Sequence, residues 1–201
     1  KLMMENQQAR INRFKLALLF FIPLLLMGAA YFIYFTGVGI PTGTSNKGLL
    51  IEPPVQITGL ASLSDTSQWQ AGNAMWAFLS PGGSNCDQRC KEDLYLSRQI
   101  RAALGKYSHR VQRIYLNQEP QTLASGLQTL LSEEHQDMKI LQVDGMAFEN
   151  LLQPSLPASE QVQALLYVVD PRGFIMLRYD QEHSYKDVIK DMKFLLKYSS
   201  E

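Results

Sequence analysis

Two cysteines occur in the 201 residues, four positions apart, as Cys86-Asp-Gln-Arg-Cys90. A thiolate is a nucleophile, a soft metal ligand and half of a redox couple, so this pair is where chemistry is expected. It follows the apolar run Ala74-Met-Trp-Ala-Phe-Leu79 and the breaker Ser80-Pro-Gly-Gly83, and it precedes a helix-like stretch that starts near Lys91. A thiolate at the start of a helix is stabilised by unpaired backbone N–H groups and by the positive end of the helix dipole. Cys86 is therefore expected to be the more readily ionised, attacking sulfur and Cys90 the resolving one. If the helix has already begun at Cys86, the β-carbons lie about 5–6 Å apart on one face. That exceeds the ~3.8 Å of a relaxed disulfide but suits two ligands on one metal ion. A loop conformation at Cys86 closes the gap and permits a disulfide. A passive structural bridge also stays open, although the entropic effect of so short a loop is small.

As metal ligands, two thiolates favour Cu(I), zinc or an iron–sulfur cluster and leave a coordination position to fill. The chain offers His109, His135 and His183, with Met75, Met146 and Met176 as softer donors. His183 and Met146 are the candidates for a third ligand to a Cu(I) held by Cys86 and Cys90. The ordinary reading of each histidine is a surface or loop residue, and of each methionine core filler. There is no glycine-rich phosphate loop, no His-Glu-x-x-His pair and no Gly-x-Ser-x-Gly elbow, which leaves other enzyme classes without support. No Thr-x-x-Cys loop marks a peroxidase. Nineteen basic and nineteen acidic residues are interspersed, so a nucleic-acid partner is disfavoured.

The elements that must position the pair alternate along the chain. Met75–Leu79 reads as a strand buried on both faces. Lys91–Leu104 reads as a helix with Leu94, Leu96, Ile100, Ala103 and Leu104 inward and Gly105 beyond its end. Strand Val111–Leu116, helix Leu123–Glu133 and strand Met138–Val143 follow. Strands Leu165–Val169 and Phe174–Tyr179 flank the turn Asp170-Pro-Arg-Gly173 and form a hairpin. An amphipathic helix, Tyr185–Tyr198, closes the chain. The order strand, helix with dithiol, strand, helix, strand, hairpin, helix predicts an α/β thioredoxin-like domain with a central mixed sheet flanked by helices.

Ahead of that domain, Leu16–Phe35 runs without a charge, the length a helix needs to cross a ~30 Å hydrocarbon core. Arg10, Arg13 and Lys15 precede it and no charge follows until Lys47, so the positive-inside rule places the N-terminus in the cytoplasm. The expected organisation is a cytoplasmic N-terminus over 1–15, a transmembrane helix over 16–35, a linker over 36–54 and a periplasmic thioredoxin-like domain over 55–201. This corresponds to a single-pass protein of a bacterial inner membrane, with the lipid bilayer as partner through residues 16–35.

A single N-terminal span, Cys-x-x-x-Cys after the first core strand and the hairpin Tyr167-Val-Val-Asp-Pro-Arg-Gly173 together resemble the Sco family of cytochrome c oxidase assembly proteins. The resemblance covers the chain from Trp69 onward. It implies a thioredoxin fold, a role in oxidase assembly with oxidase subunits or assembly factors as partners, and Cu(I) as cargo. Two positions depart from the family. Where Sco proteins carry a copper-ligand histidine, spacing to Tyr167 places Val162, and no histidine occurs between Gln136 and Glu182. Asp87, and not proline, follows Cys86. A thiol–disulfide oxidoreductase needs the two sulfurs alone. The resemblance thus implies a divergent member acting by thiol–disulfide exchange at Cys86 and Cys90, with a Cu(I) metallochaperone or a scaffolding subunit with a passive disulfide as alternatives.

Overall fold

The computed structural model describes residues 2–37, 46–57, 60, 75–157 and 164–199, with the side chains of the first helix described from Asn12 onward. The chain divides into two compact units, residues 1–44 and 45–201. In the first, helix α1 runs from Leu2 to Thr36. Its stretch Asn12–Thr36 is long and apolar enough to cross a membrane, and none of it is buried. At ~1.5 Å per residue it extends about 37 Å, more than the ~30 Å of hydrocarbon. Pro23 lies inside it.

The second unit is built on one six-stranded sheet: β1 (Leu49–Gln56), β2 (Trp76–Gly82), β3 (Val111–Asn117), β4 (Met138–Gln142), β5 (Leu166–Val169) and β6 (Phe174–Tyr179). Their spatial order is β1-β6-β5-β2-β3-β4. β2, β3 and β4 are parallel, and β5, β6 and β1 add antiparallel neighbours. The expected mixed sheet with flanking helices is present. β2 is central, so it must be apolar on both faces. Trp76 and Phe78 pack on one side with Ile100, Val188 and Met192, while Ala77 and Leu79 pack on the other with Phe148 and Leu152. Helices α2 (Gln88–Ala103), α3 (Ser125–Glu134) and α5 (Tyr185–Tyr198) supply the first side, and α4 (Gly145–Leu152) the second.

Three features differ from the sequence reading. β1 falls within the stretch read as linker, and the expected domain start at 55 lies inside this strand. Pro53 and Pro54 lack N–H groups, which bars them from a central strand but not from the sheet edge that β1 occupies. α4 was not anticipated, although Asp144 caps it by accepting from the N–H groups of Met146 and Ala147 at 2.8 and 3.2 Å. A 3-10 helix, Gly105–Arg110, joins α2 to β3. Val162, the position spaced as the family's histidine, lies outside the described residues.

One buried charge ties α2 to the sheet. The Arg113 side chain on β3 has no exposed surface. It donates to Asp137 Oδ1 at 2.8 Å, to the Leu94 carbonyl at 2.7 Å and to Ser97 Oγ at 2.9 Å. Burial pulls its pKa down to about 10, and the adjacent Asp137 carboxylate opposes that shift. His135, buried beside the guanidinium, is held below the usual histidine range by burial and by Arg113. Removing the carboxylate leaves the guanidinium without its counter-charge in a dry site. Asp137→Ala is expected to cost about 3 kcal/mol in urea-induced unfolding, well above an exposed ion pair.

Candidate functional site

Parallel pairing brings the carboxyl ends of β2, β3 and β4 to one edge of the sheet, and the two cysteines stand there on the turn from β2 into α2. Asp87 is the N-cap of α2, so Cys86 lies just before the helix and Cys90 in its first turn. The backbone at Asp87 is extended, with φ −75° and ψ −176°. This is the loop conformation that allows the two sulfurs to meet, and Cys86 and Cys90 form a disulfide with a Cα–Cα distance of 5.2 Å. Both residues are half-buried. Their side chains pack against the buried cluster formed by Leu94, Tyr115, Leu123, Leu127, Leu131 and Met138.

The loop is clamped to its neighbour, the β3–α3 connection. Tyr115 donates its O–H to the Gly83 carbonyl at 2.7 Å. Burial, with Glu119 adding to it, pushes the Tyr115 hydroxyl up to about 12, so it stays a donor. Glu119 Oε2 accepts from the Ser84 N–H at 2.9 Å, a bond that holds its carboxyl below the usual range. Ser84 Oγ donates to the Gln121 carbonyl at 3.0 Å, and the Ala124 N–H donates to the Ser84 carbonyl at 2.8 Å. Residue 82 must be glycine, because a β-carbon there would collide with the Tyr115 hydroxyl.

The helix start differs from the sequence expectation in one chemical respect. The N–H of Cys90, one of the donors that would stabilise a thiolate, is given to Asp87 Oδ1 at 2.8 Å. A carboxylate therefore occupies the positive end of α2 that the expected Cys86 thiolate would use.

The other candidate ligands are distributed by topology. His183 follows β6 and Met146 opens α4, so both come to the same sheet edge as the disulfide. Each belongs to a connection two strands away from β2, about 10 Å at ~4.8 Å per strand. Met146 is 71% exposed. His183 places Nδ1 2.7 Å from Asp180 Oδ1 and packs edge-on against Tyr179. Burial raises the Asp180 carboxyl, but His183 and the Glu182 N–H outweigh it and hold it below the usual range. His109 and His135 lie at the opposite edge, the first exposed and the second packed beside Arg113. Met75 precedes β2 at that edge, and Met176 packs on β6 beside the core. Among the described residues no group of three or more His, Cys, Asp and Glu side chains could hold a metal ion. His183 and Met146 thus stand on connections to either side of β2, and the two sulfurs between them are joined to each other.

The Asp170-Pro-Arg-Gly173 turn is also remote from the dithiol, at the far end of β5. Asp170 Oδ1 accepts from the N–H groups of Arg172 and Phe174 at 2.9 and 2.8 Å, and Gly173 has φ +91°, which suits glycine. Its role is to shape the hairpin. Sequence reasoning did not find Asp87, Tyr115, Glu119 or Asp93. The Gly82-Gly83 pair, read only as a breaker, is the signal that could have pointed there, since glycine lets another group approach the backbone closely.

Asp93, in the second turn of α2, is half-buried on the side that also carries Cys90 and Leu94. Burial pushes its carboxyl up to about 6 against the lowering effect of Arg89, with Glu92 and Asp87 adding to the rise. A pKa raised in the folded state means that the native protein binds more protons than the unfolded chain. The stabilisation is complete below about pH 4 and is lost as pH rises through about 6. Asp93→Asn removes this dependence. Its melting temperature is expected to match the parent near pH 4 and to exceed it at pH 7.5, in paired thermal unfolding across that range.

Residues 76–199 match the model of a family described as transmembrane-like, thioredoxin-like, C-terminal domain. A search of curated proteins finds no match in sequence. Among solved structures the chain is similar to BsSco, a member of the Sco family of cytochrome c oxidase assembly proteins, at 14% identity over 78% of this chain and 99% of that one, with a TM-score of 0.49. It is similar to yeast Sco1 with copper bound at 16% identity, over 77% and 91% of the two chains, with a TM-score of 0.48. A thioredoxin-like protein from Porphyromonas gingivalis aligns at 17% identity over 78% and 94%, with a TM-score of 0.49. With more than half of its length matched, the chain belongs to the transmembrane-like, thioredoxin-like C-terminal domain family.

Proposed function

We propose that this chain is a membrane-anchored thiol–disulfide oxidoreductase that assists cytochrome c oxidase assembly. In this reading α1 spans a bacterial inner membrane with its N-terminus in the cytoplasm, and the thioredoxin-like domain stands in the periplasm. The observation that carries the reading is the Cys86–Cys90 disulfide, half-buried at the start of α2 and clamped to the β3–α3 connection. The oxidase as target comes from the sequence resemblance to Sco proteins.

The exchange runs in two displacements. In the reduced pair, the Cys86 thiolate attacks one sulfur of a partner disulfide. A Cys86–partner S–S bond forms, and the other partner sulfur leaves as thiolate and takes a proton from water. The Cys90 thiolate then attacks Cys86 Sγ and expels the second partner sulfur. The partner has gained two electrons, and the chain is left with the Cys86–Cys90 disulfide. Run backwards, the same steps oxidise a partner dithiol. The clamp keeps both sulfurs at one place on the sheet edge, so the second displacement is intramolecular and fast.

A Cu(I) carrier would use the same two sulfurs in reduced form, with His183 or Met146 as the third-donor candidates, each on a connection two strands from β2. A scaffolding role, with the disulfide as passive staple, would leave function intact when both cysteines are removed. Replacing Cys86 by serine in the full chain is expected to abolish its support of oxidase activity while leaving membrane retention unchanged. Full activity of that variant would overturn the proposal. A second test concerns the cap. Asp87→Asn keeps an N-cap acceptor and removes its charge from beside the sulfurs. The reduced variant is expected to be alkylated about two- to fivefold faster at pH 7 than the parent, the size of effect a helix-terminal charge has on a neighbour. Alkylation rates followed from pH 5 to 9 measure this directly.

A further inference from the structure

The outward face of α5 is uniform in sign. At 100° per residue, Lys186, Lys190, Lys193 and Lys197 fall within a sector about 60° wide, and Phe194 and Tyr198 continue the same exposed arc. All six are exposed, the two rings at 57% and 66%. The Phe194 and Tyr198 rings pack on each other with centroids 4.8 Å apart, and Lys197 Nζ sits 5.1 Å over the Tyr198 ring. The two acids of the helix do not offset the lysines. Asp191 is buried, and Asp187 is engaged with Ser184 in the capping box.

The path of the chain adds a second, independent observation. The N–H groups of Lys47 and Gly48 donate to Asp191 Oδ2 at 2.7 and 2.9 Å, and the Tyr179 O–H donates to the same oxygen at 3.0 Å. The segment coming from α1 is therefore bound to the middle of α5 itself. Eleven residue steps separate Thr36 from Lys47, which cover at most about 40 Å when extended.

We infer that the outward face of α5 docks on anionic phospholipid headgroups, holding the domain against the bilayer in which α1 is anchored. The lysines supply the charge that an anionic surface attracts, and Phe194 and Tyr198 are the ring types that settle at the headgroup level. An acidic protein would match the lysines but gives no role to an exposed aromatic pair three and seven residues along α5 from Asp191, which holds Lys47 and Gly48. The short connection keeps the face at high effective concentration near lipid, so weak affinity suffices. This inference rests on the reading of α1 as a span.

The test uses the full chain reconstituted in vesicles of phosphatidylglycerol with phosphatidylcholine, or of phosphatidylcholine alone, and reads lysine acetylation by mass spectrometry. Labelling of Lys186, Lys190, Lys193 and Lys197 is expected to fall about threefold or more in the anionic vesicles relative to Lys91 on α2, and to recover at ~1 M salt. In the triple variant Lys190→Glu, Lys193→Glu, Lys197→Glu, Lys186 is expected to lose its protection while thermal unfolding stays unchanged. Equal labelling in both lipids overturns the inference, and so does protection that needs added oxidase subunits and not anionic lipid. Resistance to alkaline extraction scores α1 separately, and disulfide exchange with a model dithiol scores the cysteines, so failure of either reading is distinguishable from failure of this one.

Discussion

The hydrogen bond from the Tyr115 hydroxyl to the Gly83 carbonyl sets where the disulfide stands, because it joins the turn that carries the cysteines to the strand beside it. A loop between β2 and α2 has few packing partners of its own, and without a tether its sulfurs would sample many positions. Tyr115 is itself fixed, since β3 is buried along its whole length and parallel to β2 in continuous register. The clamp therefore transmits the rigidity of the sheet to the disulfide. Glu119, taking the Ser84 N–H, adds a second point, and two points define an orientation where one would define only a distance. Gly82 leaves room for the tyrosine ring, and Gly83 for the Glu119 carboxylate.

The parallel core was readable from residues alone because Met75–Leu79 is a continuous apolar run, as burial on both faces demands, and Val111–Leu116 and Met138–Val143 are short, largely apolar segments between helical stripes. The hairpin was readable from its turn chemistry, in which Asp170 caps its own loop and Gly173 takes a positive φ. β1 was hidden by its two prolines, which speak against a strand everywhere except at an edge, and an edge position is a tertiary fact. α4 was hidden by its length of eight residues and by Gly145 at its first position. At the site, the cysteines were legible as residue types, while the clamp was not. Tyr115 and Glu119 are 25 and 29 residues from Cys90, and only strand pairing brings them beside it. The cap at Asp87 could have been read, since aspartate before a helix commonly accepts its first N–H groups.

The same edge also explains why the softer metal-binding reading and the exchange reading part company. His183 and Met146 reach the carboxyl edge as the cysteines do, but from connections on opposite sides of β2, each two strands away. His183 is turned to Asp180 and Tyr179, and Met146 faces solvent. A common edge is a weaker condition than a common site. Exchange asks of the fold only that two sulfurs be adjacent and approachable, and a half-buried disulfide at the head of a helix meets that condition.

Where the chain enters the domain matters as much as where the sulfurs sit. β1 runs antiparallel to β6, so Lys47 and Gly48 arrive at the carboxyl edge of the sheet, the edge that carries Cys86 and Cys90. Asp191 fastens them there through a single carboxylate oxygen that accepts three donors, and that carboxylate is buried. Three donors on one buried oxygen are a stronger fixture than an exposed ion pair, because each lost partner leaves a charge without solvation. Lys47 and Gly48 are thus attached at a defined point of the domain, at the sheet edge that carries the disulfide.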